Sequence, residues 1–356
     1  MWRRCSRNEQ SKKLMMDWAN DVHYLQIDAT SYCNAGCGTC VRFVPKTLEL
    51  QPHLELDHFP LDIYTRLIKE DIKDLNIKAL FFNGNWGDAC MHPKLIDFVK
   101  LAREADLYIK ISTNGSIRTE KWWAELAEVI GSRGDVTFCI DGVGNESNAM
   151  YRAKTSYDKI VKNMTAFNNA GGSSRWQMTV FDYNIDQIDE AESLAKSFGC
   201  NSFEARPNYS DSKQIIYPTH TITLNSVNTS MYKTTLLKEI DEETAKYTSL
   251  YWPHQSEKQI DSQCPWYSEG GIQIDPFATV WPCCITSQTK YGLTETGDKV
   301  SDADFADGSL ADRFSLKTRT LKEILTDKWY TQYLDNKVES AGYNICVEEC
   351  DVENRL

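Results

Sequence analysis

The sequence predicts an α/β fold in which six successive β/α units build a parallel barrel, followed by a separate C-terminal region. Two patterns carry that expectation. Short apolar runs with strand character alternate with longer runs whose apolar residues recur at helical spacing. Most strand-like runs also end in polar or glycine-bearing loops: Asn83-Gly84-Asn85, Thr113-Asn114-Gly115, Asp141-Gly142 and Asp182-Tyr183-Asn184. In a parallel barrel, loops at the carboxyl ends of the strands carry the chemistry, although each one alone reads equally well as a turn. A length of 356 residues holds a barrel of roughly 250 residues and an appendage.

The elements follow in order. Tyr24 to Asp28 alternates like a strand and runs straight into a cluster of cysteines. Leu61 to Leu75 places Leu61, Tyr64, Leu67, Ile68, Ile72 and Leu75 on one helical face. A strand at Ala79 to Asn83, a helix at Pro93 to Glu104 and a strand at Tyr108 to Ser112 come next. Lys121 to Ile130 reads as a helix, Val136 to Ile140 as a strand and Tyr157 to Asn169 as a helix. Trp176 to Phe181, a helix from Ile185 to Phe198 and a strand at Ser202 to Ala205 complete six units by residue 207. The expected division is an extension over 1–22, the barrel over 23–207, a bridge over 208–263 and a last domain over 264–356. The bridge is polar and aromatic, with a helix expected at Tyr232 to Glu243. The last domain opens with a hairpin-like stretch from Gly271 to Cys284 and carries a helix from Leu321 to Leu334.

Composition narrows the function classes. With 41% hydrophobic and 25% charged residues the chain is an ordinary globular one, which excludes collagen-like order and extended disorder. The longest apolar runs, such as Ala79 to Phe82, are too short to span a bilayer. No apolar stretch follows the early arginines, so no secretory signal is read and a cytoplasmic location is expected. A net charge of −12 argues against nucleic acid as the partner. Twelve cysteines without an export signal point to metal or redox chemistry rather than disulfides.

Cys33, Cys37 and Cys40 have C-x3-C-x2-C spacing just after the first strand. Thiolates so spaced can converge on one metal centre and leave one coordination position open. An iron–sulfur cube with three protein ligands has that character, whereas a structural zinc site is closed by four. A zinc site completed by a distant residue, or buried free thiols, are the alternatives. A second constellation comprises Cys264, Cys283, Cys346 and Cys350, with Cys284 an alternative to Cys283. Cys5, Cys90 and Cys200 read as core or surface thiols.

The cysteine loop after the first strand of a β/α chain resembles the radical S-adenosylmethionine superfamily. Gly87-Asp88-Ala89-Cys90-Met91-His92-Pro93 stands where that family has a Gly-Glu-Pro-type motif before His-Pro. Ser112-Thr113-Asn114-Gly115 closes the third strand, and Phe138 to Gly142 closes the fourth, followed by Arg152. Two positions depart from the family pattern: Thr39 replaces a common aromatic, and Cys139 stands where a serine often contacts the cofactor. The resemblance implies a partial (β/α)6 barrel with a [4Fe-4S] cluster on Cys33, Cys37 and Cys40 that binds S-adenosylmethionine and cleaves it to a 5′-deoxyadenosyl radical. It further implies that Gly87, Asp88, Asn114, Cys139 and Arg152 surround the cofactor, Asp88 at the methionine ammonium and Arg152 at its carboxylate. The C-terminal cysteines resemble the auxiliary-cluster module called SPASM or, in shorter form, twitch. The twitch form is favoured, with a second [4Fe-4S] cluster on Cys264, Cys283, Cys346 and Cys350; structural zinc fits the same four ligands.

An auxiliary cluster near the substrate can accept an electron and make the net reaction an oxidation. Glu204, Arg206 and Asp182 lie where substrate contacts are expected, with no acid or base chosen among them. The short stretch before the first strand favours a sugar, aminocyclitol or nucleotide over a ribosomal peptide, with flavodoxin or ferredoxin as electron donor. The rival class is a zinc-stabilised binding protein without redox activity.

Overall fold

The structure is a computed structural model that describes residues 17–44, 46–52, 54–208, 214–223, 233–238, 266, 270–288 and 312–334. Its strands, in chain order, are β1 (Tyr24–Ile27), β2 (Gly36–Cys37), β3 (Ala79–Phe82), β4 (Tyr108–Thr113), β5 (Gly134–Cys139), β6 (Arg152–Ala153) and β7 (Ser174–Val180). They continue as β8 (Ser202–Pro207), β9 (Gln214–Ile216), β10 (Thr221–Thr223), β11 (Lys233–Leu236), β12 (Gly271–Ile274) and β13 (Val280–Trp281). Nine of them form one sheet in the order β11-β8-β7-β5-β4-β3-β1-β12-β13. The run from β1 through β3, β4, β5 and β7 to β8 is parallel throughout, which bears out the six β/α units of a partial barrel.

Buried strands alternate between two unlike faces. Leu25, Ile27, Leu80, Phe82, Ile109, Ile111, Val136, Phe138, Trp176 and Met178 belong to one apolar core shared with the surrounding helices. The intervening residues Gln26, Lys110, Asp135, Thr137, Arg175, Glu204 and Gln273 are also buried, but polar, and line the barrel lumen. Ordinary parallel sheets bury apolar side chains on both faces. Here the lumen is polar.

Helices α1 (Trp18–Asp21), α2 (Leu61–Arg66), α3 (Leu95–Glu104), α4 (Glu120–Ile130), α5 (Asn145–Tyr151), α6 (Tyr157–Asn169) and α7 (Ile188–Ser197) accompany the strands. Thr119 and Ser156 cap α4 and α6 by accepting from Trp122 N and Lys159 N. The helical run expected over Leu61 to Leu75 is broken: α2 passes into a π turn, Leu67–Asp71. Asp71 leaves that turn to accept from Leu321 N at 3.1 Å, and Arg66 donates to the carbonyls of Leu316 and Arg319. The C-terminal segment thus docks on the outer helices.

One expectation is corrected here. The region from Lys233 to Leu236, read as part of a helix, is strand β11, antiparallel to β8. The β-branched pair Thr234-Thr235 suits a ladder more than a helix, and the edge of β8 supplied the partner. In the same stretch β9 and β10 form an antiparallel hairpin. The hairpin expected at the head of the last region is present as β12 and β13, and β12 extends the barrel sheet by pairing parallel to β1. Among the described residues no helix is long and apolar enough to cross a membrane.

Candidate functional site

Past β1 the chain runs through Asp28 to Tyr32 into the cysteine loop. Cys37 lies in β2, which pairs antiparallel with β6 and sets Cys37 opposite Arg152. The Cys40 N–H returns to the Cys37 carbonyl at 3.1 Å, a turn that folds the loop on itself. Cys33 Sγ accepts from Ala35 N at 3.4 Å and faces Asn114 Nδ2 at 3.9 Å; Cys37 Sγ faces Arg152 Nη1 at 3.9 Å. Burial pushes the Cys33 thiol up to about 12 and raises Cys37 and Cys40 as well. Guanidinium groups oppose it: Arg42 acts on Cys33 and Cys40, Arg152 on Cys37 and Cys40. Nearby cations and donors aimed at sulfur are what thiolate ligands require once a metal displaces their protons. Among the described residues no three His, Cys, Asp or Glu side chains converge closely enough to share one metal ion. Three thiols on one loop, met by N–H donors and guanidinium groups, are a donor set that suits a cube with three protein ligands.

Asp88 and Asn114 stand beside this loop. Asp88 N donates to the Tyr32 carbonyl at 2.9 Å, bringing the loop after β3 against the start of the cysteine loop. Gly87 permits that approach, because a Cβ there would lie 2.5 Å from the Tyr32 carbonyl oxygen. The Asp88 carboxylate is only 4% exposed and already has partners. It accepts from Thr113 Oγ1 at 2.9 Å, Asn114 N at 2.8 Å, Asn114 Nδ2 at 2.6 Å and Cys90 N at 3.0 Å. Burial raises its pKa against these bonds. Asn114 Nδ2 also reaches Asn34 Oδ1 at 2.9 Å, so one amide links β4, the loop after β3 and the cysteine loop. Arg152 Nε lies 2.6 Å from Asp141 Oδ2, a buried carboxylate whose other oxygen accepts from Thr179 N. The charge assigned from sequence to a bound carboxylate therefore meets a protein carboxylate.

The remaining sequence candidates separate. Cys139, at the end of β5, is partly exposed; its thiol is pushed up by burial and pulled back by Arg152 and Arg206. Glu204 is buried in the lumen, accepts from Gln177 Nε2 at 2.8 Å and pairs with Arg175 Nη1 at 3.5 Å. Arg206 sits one step higher on β8, opposite Thr179, and is half-buried. Asp182 is half-buried in the turn after β7. Asn184, from the same turn, is structural: its Nδ2 donates to the Asp141 and Thr179 carbonyls and its Oδ1 accepts from Phe181 N. Of the C-terminal constellation, Cys283 and Cys284 are described; Cys264, Cys346 and Cys350 lie outside the described residues. Cys283 is buried and its sulfur accepts from Thr286 N at 3.4 Å. The next carbonyl, of Cys284, accepts from Asn85 Nδ2 at 3.3 Å, while Asn85 N donates to Asp28 Oδ1 at 3.0 Å. The two cysteines are thus tied to the loop that also carries Asp88.

The site lies at the carboxyl ends of the parallel strands of a partial barrel. No protein-family model matches the chain. It is 28% identical over 174 residues to the mycofactocin maturase MftC of Mycolicibacterium smegmatis, covering 48% of this chain and 41% of the maturase. It is also 28% identical over 110 residues to a tungsten-containing aldehyde ferredoxin oxidoreductase cofactor-modifying protein of Pyrococcus furiosus, covering 30% of this chain and 28% of that protein. The matches thus span less than half the length of these relatives. Among solved structures, Streptococcus suis SuiB bound to its precursor peptide SuiA has a TM-score of 0.53 at 13% identity, over 88% of this chain and 66% of SuiB. AnSMEcpe with bound AdoMet has a TM-score of 0.52 at 13% identity, over 92% and 87% of the two chains.

Sequence reasoning passed over Asp28, Asp141, Tyr151 and Tyr217. Asp28 and Asp141 had a usable signal, since each is an acid directly after an apolar strand. Tyr217 had none; its role depends on where an unforeseen hairpin packs.

Proposed function

We propose that the chain is a radical S-adenosylmethionine enzyme acting on a polar substrate, with its catalytic cluster on Cys33, Cys37 and Cys40. The observation that carries this is the placement of three thiols on one loop, flanked by Arg42, Arg152, Asn114 and Asp88. When bound there, the cluster and S-adenosylmethionine supply the one-electron bond cleavage that starts a radical reaction. Asp88 and Asn114 hold the loops after β3 and β4 against the cysteine loop, so the cofactor meets a preassembled wall. Arg152, locked by Asp141, sets positive charge next to Cys37. Cys139 and Arg206 border the space above the lumen, and Arg206 is the cation placed to meet an anionic part of the substrate. Below them Glu204, Arg175 and Gln177 satisfy one another and form a polar floor.

The net reaction proposed is an oxidation, with residues 264–356 as a twitch-like module that holds a second cluster on Cys264, Cys283, Cys346 and Cys350. A small metabolite is the first reading of the substrate, supported by the polar side chains at the carboxyl ends of the strands. A ribosomal peptide is the second reading, supported by the likeness to a maturase and to an enzyme seen with its precursor peptide. An external flavodoxin- or ferredoxin-type protein would deliver the electron.

Replacing Cys33, Cys37 and Cys40 together with Ala tests the assignment. Anaerobically purified wild-type protein should be brown, bleach with dithionite and form 5′-deoxyadenosine from S-adenosylmethionine; the triple variant should lose one cluster and all such product. Deoxyadenosine at the wild-type rate in the variant would remove the loop from the reaction. Colourless wild-type protein holding zinc would favour the binding-protein class instead.

A further inference from the structure

The β9–β10 hairpin, from the part of the chain read as a bridge, packs on the cysteine loop. Tyr217, in the turn of that hairpin, is 4% exposed and its hydroxyl oxygen accepts from Gly38 N at 2.8 Å. The same hydroxyl donates to the Tyr151 carbonyl, the residue preceding Arg152. The Tyr217 ring stacks on His220 with centroids 4.5 Å apart, and His220 Nε2 reaches the Met150 carbonyl at 2.7 Å. Ile215, Ile222 and Phe181 close an apolar cluster around the phenol ring. Gly38 leaves room for this packing: a Cβ there would lie 2.5 Å from Ile215 Cγ2 and 2.7 Å from Tyr217 Cζ. The hairpin is fitted to one particular residue of the loop, the one directly after the second thiol.

That residue has one hydrogen-bond donor, its backbone N–H, and the hairpin takes it. Hydrogen bonds from protein donors to the sulfurs of an iron–sulfur cluster stabilise its more negative, reduced form and so raise its potential. A glycine amide next to Cys37 is a natural source of such a bond. Both lone-pair and proton capacity of the Tyr217 hydroxyl are spent on backbone groups, which leaves it nothing for acid–base work. We infer that Tyr217 is a positioning residue that keeps the Gly38 N–H turned away from the cluster and thereby holds the cluster at low potential, where it can reduce a sulfonium. The inference rests on the reading that Cys33, Cys37 and Cys40 hold that cluster.

The test uses the full chain, purified without oxygen, as wild type, Tyr217→Phe and His220→Phe. The cluster whose paramagnetic signal changes on adding S-adenosylmethionine, and is missing from the triple cysteine variant, is first identified in the wild type; its absence would sink the reading of the loop and this inference with it, whereas the comparisons that follow test Tyr217 alone. Redox titration of that signal should then give a more positive midpoint for Tyr217→Phe, with iron content unchanged. His220→Phe loosens the hairpin without removing the Gly38 partner and should titrate like wild type. An unchanged midpoint in Tyr217→Phe, or an equal shift in both variants, would overturn the proposal. Where Tyr217→Phe fails to take up iron, amide exchange on iron-free protein decides. Exchange at Gly38 should accelerate about tenfold, the worth of one ordinary hydrogen bond, in Tyr217→Phe and not in His220→Phe. Equal protection in the two variants overturns it.

Discussion

At the scale of single residues, Asp88 ties together the loops of the candidate site. Its carboxylate collects Thr113, Asn114 and Cys90 donors from two loops, all inside the protein. Asp88→Ala would strand these donors, and each buried group left unpaired costs roughly 1–3 kcal/mol. We therefore expect the urea midpoint to fall well below wild type, with Asp88→Asn between the two. If Asp88→Ala is as stable as wild type, the network does not hold the loops, and any loss of cofactor affinity belongs to the carboxylate alone. His92, four residues on, gives a pH signature. Its Nε2 faces the Phe59 carbonyl at 3.1 Å while Nδ1 accepts from Lys94 N, an arrangement of the neutral ring. Burial pulls its pKa down to about 4, from an ordinary 6.5. A folded-state pKa below the unfolded one means that the unfolded chain takes up the proton first. Stability should then decline as pH falls from about 6.5 towards 4, and His92→Gln should flatten that part of the curve of denaturation midpoint against pH. A parallel curve in the variant would assign the acid sensitivity elsewhere.

At the scale of elements, the parallel core was legible because each strand carries an apolar face and each helix a 3.6-residue stripe. Tyr157–Asn169 coincides with its expected helix, and apart from the run from Leu61, which passes into a π turn, the other expected barrel elements differ by a few terminal residues. What escaped notice was decided by partners distant in the chain. β11 pairs with β8, β12 with β1, and the two-residue strand β2 exists through β6, more than a hundred residues later. Local propensity holds no record of such pairings. The site was legible to the same degree: the cysteine loop announces itself by spacing, while Asp141 as the partner of Arg152 needed the fold. The contact between the loop after β3 and the cysteine loop turns on Gly87. A Cβ there would press on the carbonyl carbon and oxygens of residues 30–32, backbone that cannot swing aside, at 2.8 Å from Ser31 C. Gly87→Ala should therefore push the two loops apart and lower iron loading at the first cluster, while circular dichroism still reports a folded barrel. Full iron content in that variant would show that the loops tolerate separation.

At the scale of the whole molecule, the C-terminal region is built into the barrel rather than hung from it. β12 continues the sheet beside β1, Tyr330 packs into the main core against Trp18, and Asn85 bonds both the end of β1 and the Cys284 carbonyl. A chain of hydrogen bonds thus joins the strand that feeds the cysteine loop to the turn that carries Cys283. If Cys264, Cys283, Cys346 and Cys350 hold a second cube, the protein should carry about eight irons per chain, two four-iron clusters. On that proposal the first cluster would suffice to cleave S-adenosylmethionine, and the second would take the electron that an oxidation leaves over. Replacing Cys346 and Cys350 by Ala should accordingly remove about four irons and leave deoxyadenosine formation measurable while product formation collapses. Because a fully ligated cluster can staple the domain that holds it, thermal unfolding of the variant must be followed alongside. A folded variant that keeps all its iron and still turns over would mean that these cysteines are bystanders, and the proposed oxidation would have lost its electron acceptor.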